Sequence, residues 1–247
     1  MRSYFFAIFQ VPLFKISFML YNQNGILLLE EFLMNYKAFL IEAGKRMLHS
    51  GFTVGTWGNI SVRDPETGYV YLTPSGMPYD TLTEDDIVVM DLDANRIEGE
   101  RRPTIEYMMH LGIMKNRPDV NAVIHTHPIY SQIFALLHEE IPPVIDEAAQ
   151  ALGANPVRVT EYALPGSLEM AENVIKTIGN DAACLIGNHG AVSVGKDMET
   201  AFKVCTILEM SAQIYYMARS IGTPKPIPQD KVEYMVNVTV KDYGQKK

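Results

Sequence analysis

Residues 122–130 read AVIHTHPIY. An apolar run closed by a proline predicts a β-strand that stops at Pro128, because proline cannot donate to a sheet ladder. Side chains alternate faces along a strand, so His125 and His127 project to one side and Thr126 to the other. Two of the chain's six histidines thus stand together where a strand ends. Two imidazoles on one face can hold one metal ion. A bare H-x-H also occurs as packing or surface histidines. The metal reading therefore needs a third ligand, a base and a substrate pocket from elsewhere in the sequence.

The surrounding pattern predicts how that strand is housed. Residues 29–49 carry apolar residues at helical spacing (Leu33, Tyr36, Leu40, Ala43, Met47), with Gly51 as the stop. NISVR and YVYLTP read as strands joined by the turn-rich DPETG, and DIVVMDLDANRIEGE reads as a further hairpin. A helix is expected over 104–116, just after Pro103, another over 131–138, and a strand around VRVTEYA. SLEMAENVIKTIG is an amphipathic helix with Ser167 as N-cap and Gly179 near its end. AACLIGNHGAVSVG reads as a strand pair broken at Gly187–Gly190. A long helix runs from near Asp197 to near Gly222, followed by the proline-rich TPKPIPQ and a tail over 230–247. Strands cluster in the middle and helices bracket them, which favours one α/β domain with a mixed or antiparallel sheet covered by helices.

Charge and cysteine content narrow the function. A net charge of −8 argues against a general nucleic-acid surface. Cys184 and Cys205 make neither a disulfide framework nor a cysteine zinc site, which fits a reducing cytoplasm. They read as buried apolar residues. The first twenty residues are strongly apolar, but Pro12 and Lys15 interrupt them and no small-x-small cleavage site follows. The uninterrupted stretches are too short for a membrane span. Residues 1–28 are therefore expected to be an extension outside the domain formed by 29–247, with Met19 or Met34 as alternative starts.

Several short stretches join the histidine pair. GNHGAV sets His189 in a glycine turn beside a strand, the candidate third ligand; three imidazoles with one open position make a catalytic zinc geometry. Glu106, in RPTIEYMMH, is a carboxylate near a helix start that can ligate a metal or act as general base. His110 lies on the same helical face, where packing is the expected role and metal ligation the alternative. TWGNISVR offers Gly58 and Asn59, and TPSGMPYD offers Thr73, Ser75 and Gly76; hydroxyls, a side-chain amide and exposed N–H groups suit a phosphate. Tyr79 is placed near the pocket and Trp57 in packing. The methionine and aromatic stripe of the long helix reads as core.

The ordered set GNISVR, TPSGM, P-x-x-E, HTHP and NHG resembles the class II aldolase/adducin superfamily over about residues 35–243. The resemblance implies a central, mostly antiparallel sheet with helices on both faces, and a homotetramer with active sites between subunits. It implies one zinc ion per subunit on His125, His127 and His189, and Glu106 as the acid/base. It implies a phosphate loop of Gly58, Asn59, Thr73, Ser75 and Gly76 with Thr104, and a closing C-terminal tyrosine matching Tyr243. The implied reaction is retro-aldol cleavage of a ketose 1-phosphate, such as L-fuculose 1-phosphate, to dihydroxyacetone phosphate and an aldehyde.

Two positions depart from the family pattern. Ile105 stands where a second small hydroxyl residue is usual, and PPVIDEAAQALG has no tyrosine. Cleavage of a deoxy- or methylthio-pentulose phosphate and a 4-epimerase of ribulose 5-phosphate type are the neighbouring readings. A non-catalytic adducin-like module and a membrane-tethered enzyme using residues 1–20 are more remote.

Overall fold

The structure is a computed structural model that describes the backbone over residues 15–21 and 27–242, and side chains over 34–238. Two compact units divide the chain, Met1–Tyr36 and Lys37–Lys247. In the first, β1 (Lys15–Tyr21) and β2 (Leu27–Leu33) form an antiparallel hairpin running from Lys15↔Leu33 to Tyr21↔Leu27. This shortens the helix expected over 29–49: helix α1 covers Tyr36–His49. Backbone groups of 27–33 that pair with a neighbouring strand are not available to an i→i−4 ladder. Leu40, Ala43 and Met47 then form the buried stripe of α1, as their spacing predicts.

The second unit is built on a sheet of seven strands among the described residues. They are β3 (Asn59–Arg63), β4 (Val70–Leu72), β5 (Val88–Met90), β6 (Arg96–Glu98), β7 (Ala122–Thr126), β8 (Ala183–Ile186) and β9 (Gly190–Gly195). Their order is β6-β5-β4-β3-β7-β9-β8, and every one of these pairings is antiparallel. Helices follow as α2 (Tyr107–Asn116), α3 (Ile129–Leu137), α4 (Asp146–Leu152), α5 (Leu168–Ile178), α6 (Met198–Ile221) and α7 (Gln229–Asp242).

Both sheet faces are covered, and the alternation of β8 shows how. Cys184 and Ile186 enter one apolar cluster with Met109 and Ile113 of α2 and Val174 and Ile178 of α5. Ala183 and Leu185 point the other way, into a cluster with Phe134 of α3 and Val204 and Leu208 of α6. A strand buried on both sides has no polar face to show, so β3, β7, β8 and β9 are buried at every position. Helix ends match their sequence signals. The Ser167 hydroxyl accepts from the Met170 amide at 3.1 Å, and the Asp197 carboxylate accepts from the Thr200 amide at 2.7 Å.

Three expectations shift in the structure. VRVTEYA forms no strand, only single bridges from Val157 to Ile141 and from Val159 to Leu185 at the β8 edge. The helix expected from 104 begins at Tyr107, because a bridge between Pro74 and Pro103 and the bond from the Thr104 amide to the Thr73 carbonyl at 3.0 Å hold the preceding backbone extended. Much of the expected tail is α7. Tyr243 lies outside the described residues. Among those described, no helix is long and apolar enough to cross a membrane.

Candidate active site

Sheet register brings the predicted residues to one end of the central strands. Asn59, the first residue of β3, stands opposite His125 of β7, and Thr126 stands opposite Ala191 just after the β8–β9 turn. His127 lies one residue past β7, where its amide still donates to the Phe52 carbonyl at 2.8 Å, so the alternation of the strand persists. Thr126 faces the other way, toward Cys205 of α6. His189 closes the three-residue turn Gly187–Asn188–His189, in which Asn188 adopts the left-handed φ of 56°. Gly190 follows because any Cβ there would stand against the Thr126 carbonyl oxygen and both strand histidines. Gln132 of α3 donates to the His189 carbonyl at 2.8 Å and steadies the turn.

His125, His127 and His189 converge with one nitrogen from each within 4.8 Å of the others. His125 Nδ1–H donates to the Ala191 carbonyl at 3.0 Å, which leaves the Nε2 lone pair aimed at the centre. His127 Nε2 lies 2.9 Å from His125 Nε2. Burial is the main reason all three imidazoles stay neutral; it pulls His125 and His189 down to about 4 and His127 to about 3. Glu106 adds its carboxylate to this nitrogen cluster, Oε2 at 3.3 Å from His125 Nε2 and Oε1 at 3.6 Å from His189 Nε2. Lone pairs and a carboxylate gathered this closely repel one another unless a cation lies among them. The donor set therefore fits a divalent metal, and His189 Nδ1, buried without a partner, is a further polar atom left unsatisfied at the site.

Glu106 occupies the N-cap position of α2 rather than its first turn, with φ −98° and ψ 15°. Its amide donates to the Thr104 hydroxyl at 3.3 Å. Asn59 Nδ2 donates to Glu106 Oε2 at 2.7 Å. His110, one helical turn on, is fully buried and is not part of the nitrogen cluster; its Nε2 meets Asn59 Oδ1 at 2.6 Å and its Nδ1 meets Ser61 Oγ at 2.7 Å.

A cleft of about 560 Å³ opens over this centre. Of the residues singled out in the sequence, Gly58, Asn59, Ser75, Gly76, Thr104, Glu106, His127 and His189 line it. His125 sits behind them, fully buried. Thr73 does not line the cleft: its hydroxyl accepts from the Ile60 amide at 3.2 Å and braces β3. Tyr79 also lies outside, buried, with its hydroxyl donating to the Gly58 carbonyl at 2.7 Å. Trp57 reverses its expected role. It is 64% exposed, lines the cleft and holds its ring centroid 6.0 Å from that of His127. Ile105, Tyr162 and Pro165 form further cleft wall. Ile105 stood out in the sequence as a departure; Tyr162 gave no signal.

The model of the class II aldolase and adducin N-terminal domain matches residues 38–216. The chain belongs to the class II aldolase/adducin family. It is 39% identical over 206 residues to a 5-deoxy-D-ribulose 1-phosphate aldolase of Bacillus thuringiensis serovar kurstaki, covering 83% of this chain and 95% of that one. A 5-methylthioribulose-1-phosphate/5-deoxyribulose-1-phosphate aldolase of Rhodospirillum rubrum is 33% identical over 205 residues, covering 83% of this chain and 90% of the relative. Among solved structures, an L-fuculose 1-phosphate aldolase superposes with a TM-score of 0.80 at 37% identity, covering 83% of this chain and 96% of that chain. This class II aldolase is thus an enzyme of a metal-dependent kind, and its three-histidine group is the place among the described residues able to hold the metal.

Proposed function

We propose that this enzyme is a zinc-dependent aldolase that cleaves a ketose 1-phosphate with an apolar far end to dihydroxyacetone phosphate and an aldehyde. The observation that carries the reading is the cleft itself. Its lining combines the hydroxyl and backbone groups of Ser75, Gly76 and Thr104 with the apolar surface of Trp57, Ile105, Tyr162 and Pro165, together with Glu106 and the histidines. A phosphate suits the polar groups and a methyl or thiomethyl terminus suits the apolar ones. Both L-fuculose 1-phosphate and 5-deoxyribulose 1-phosphate end in a methyl group. Ile105 and the names of the sequence relatives favour the pentulose.

His125, His127 and His189 would hold the zinc. Bound there, it would supply Lewis-acid chemistry, drawing electron density from the substrate carbonyl as the C3–C4 bond breaks. Glu106 does the proton work. The electron pair released from C3–C4 is taken up at C3, and Glu106, presented to the cleft by the Asn59 amide, delivers a proton to that carbon. The C4 hydroxyl loses its proton as C4 becomes the aldehyde, a task assigned to Tyr243. We assign the enzyme to a cytoplasmic homotetramer, a setting in which the two buried free cysteines stay reduced.

Metal content and product release test the reading together. About one zinc per chain, with dihydroxyacetone phosphate and acetaldehyde released from 5-deoxyribulose 1-phosphate, is the expected result. Interconversion of pentulose 5-phosphates with no dihydroxyacetone phosphate would make it an epimerase. Absence of zinc after reconstitution would overturn the metal assignment. Glu106→Gln is expected to keep the zinc and lose most turnover, and sedimentation should report four chains.

A further inference from the structure

Four buried side chains form one unbroken line into the active site. Ser61 and Asn59 are two apart on β3 and share a face; Glu106 and His110 are four apart at the start of α2 and share a face. The two pairs interdigitate. Ser61 Oγ is 2.7 Å from His110 Nδ1, His110 Nε2 is 2.6 Å from Asn59 Oδ1, and Asn59 Nδ2 is 2.7 Å from Glu106 Oε2. None of the four is more than 7% exposed.

Chemistry fixes the direction of every bond in this line. An ionised carboxylate only accepts, so Asn59 must turn its NH2 to Glu106 and its oxygen to His110. The oxygen needs a donor, so His110 carries its proton on Nε2. Burial holds His110 at about 3, so it is neutral and its Nδ1 is an acceptor. Ser61 must then donate. A flipped Asn59 would set its oxygen against the carboxylate and its NH2 against an N–H, losing two buried bonds at once. The Glu106 carboxylate sets the orientation of Asn59, and His110 and Ser61, which do not line the cleft, brace it from behind.

We propose that His110 and Ser61 are positioning residues that act through Asn59 to hold the Glu106 carboxylate in one orientation for proton transfer. Asn59 thereby gives one amide N–H to Glu106 and its oxygen to His110, and its second N–H is left for the cleft that Asn59 lines. The proposal rests on the reading of Glu106 as the proton-transfer group.

Two substitutions at His110 separate positioning from packing. Gln can place an amide N–H close to the position of His110 Nε2; Phe fills the space and offers no donor. His110→Phe is expected to lower kcat by about 10- to 100-fold, the range typical of lost outer hydrogen bonds, with KM and zinc content little changed. His110→Gln should recover most of that loss. Exchange of the C3 proton of dihydroxyacetone phosphate with solvent deuterium, followed by NMR, should slow in parallel with kcat, because it isolates the step Glu106 performs.

A double-mutant cycle makes the route explicit. In an Asn59→Ala background, His110→Phe should cost less than about 3-fold more, since the connection is already cut. Multiplying effects, equal losses in the Gln and Phe variants, or a wild-type kcat in His110→Phe would each overturn the relay. Should His110→Phe fail to fold, Ser61→Ala replaces it. It removes only the donor to Nδ1 and is expected to lower kcat and exchange together; an unchanged kcat there overturns the proposal equally. Glu106→Gln keeps the two readings apart. If it turns over normally, the role of Glu106 falls; if it is inactive while His110→Phe is not, only the relay falls.

Discussion

The ring of Tyr79 fills the space that a side chain on Gly44 would take. A Cβ on Gly44 would meet Tyr79 Cδ1 at 2.6 Å, and the hydroxyl at the far end of that ring donates to the Gly58 carbonyl at 2.7 Å. Helix α1 is thereby braced against the loop that leads into the active site. Gly58 itself has a φ of +68°, and a Cβ there would stand 2.7 Å from the His125 carbonyl oxygen.

Gly44→Ala should therefore destabilise the protein even though it lies inside a helix. Alanine gains about 1 kcal/mol of helix propensity over glycine. Against that, overpacking a closed site costs about 1–3 kcal/mol, and Tyr79 cannot swing aside without releasing Gly58. A net loss of stability in urea unfolding is expected. Tyr79→Phe should cost about 1–3 kcal/mol by leaving the Gly58 carbonyl without its donor. With that anchor gone the ring can move, so Gly44→Ala should cost less in the Tyr79→Phe background than in the wild type.

Trp57 offers a direct optical readout of the metal. It is the chain's one tryptophan, and it stands beside a proposed zinc ligand. Adding zinc to chelator-treated protein should produce a saturable change in tryptophan emission that ends near one equivalent per chain. His127→Ala should lose both that response and the activity. A response that persists in His127→Ala would show that the ion reports from elsewhere.

Ile105 separates this chain from the family pattern, and its side chain leans on Gly166, whose Cβ would come within 3.1 Å of Ile105 Cβ. Ile105→Ser should return a hydroxyl to the cleft wall. A hydrogen bond to a charged group is worth about 1.5–3 kcal/mol, so a phosphate on that side should bind roughly 10-fold tighter or better, read as a lower KM. If the isoleucine instead contacts the apolar end of the substrate, KM should rise, most for a thiomethyl terminus. The sign of the change assigns that side of the cleft.

The histidine centre was legible because strand geometry is local. Period-two alternation put His125 and His127 on one face, and Gly187 and Gly190 marked the turn that presents His189. Residues acting through distant partners were not legible in the same way. His110 pointed to packing, but its bonding atoms come from Asn59 and Ser61, about fifty residues earlier, and only the β3–α2 pairing reveals them. Thr73 carried the right chemistry for a phosphate, yet the β3 backbone claims its hydroxyl. Trp57 was misplaced because apolar area alone favours burial, whereas here the indole lines a cleft that no periodicity encodes. The shortened first helix has a similar cause: the first five residues of the expected span, 29–33, were drawn into a hairpin by a partner strand.

Acid should unfold this enzyme early, and His110 supplies a measurable share. Its ordinary value of 6.5 applies in the unfolded chain, while burial lowers it to about 3 in the fold. Between those limits the unfolded state binds the proton and the native state does not, so stability falls as pH falls. The contribution is complete well above pH 6.5 and is lost progressively toward pH 3, with a slope that approaches about 1.4 kcal/mol per unit once the pH is a unit or so below 6.5. His125, His127 and His189 shift in the same direction for the same main cause and steepen the slope in metal-free protein. Urea unfolding of chelator-treated protein at pH 6.5 and 5.5 measures the total. His110→Gln, which has no proton to gain, should lose less stability over that interval than the wild type, by about 1 kcal/mol. Equal losses in the two proteins would mean that His110 is already protonated in the fold, which would also reverse the direction of its bond to Ser61.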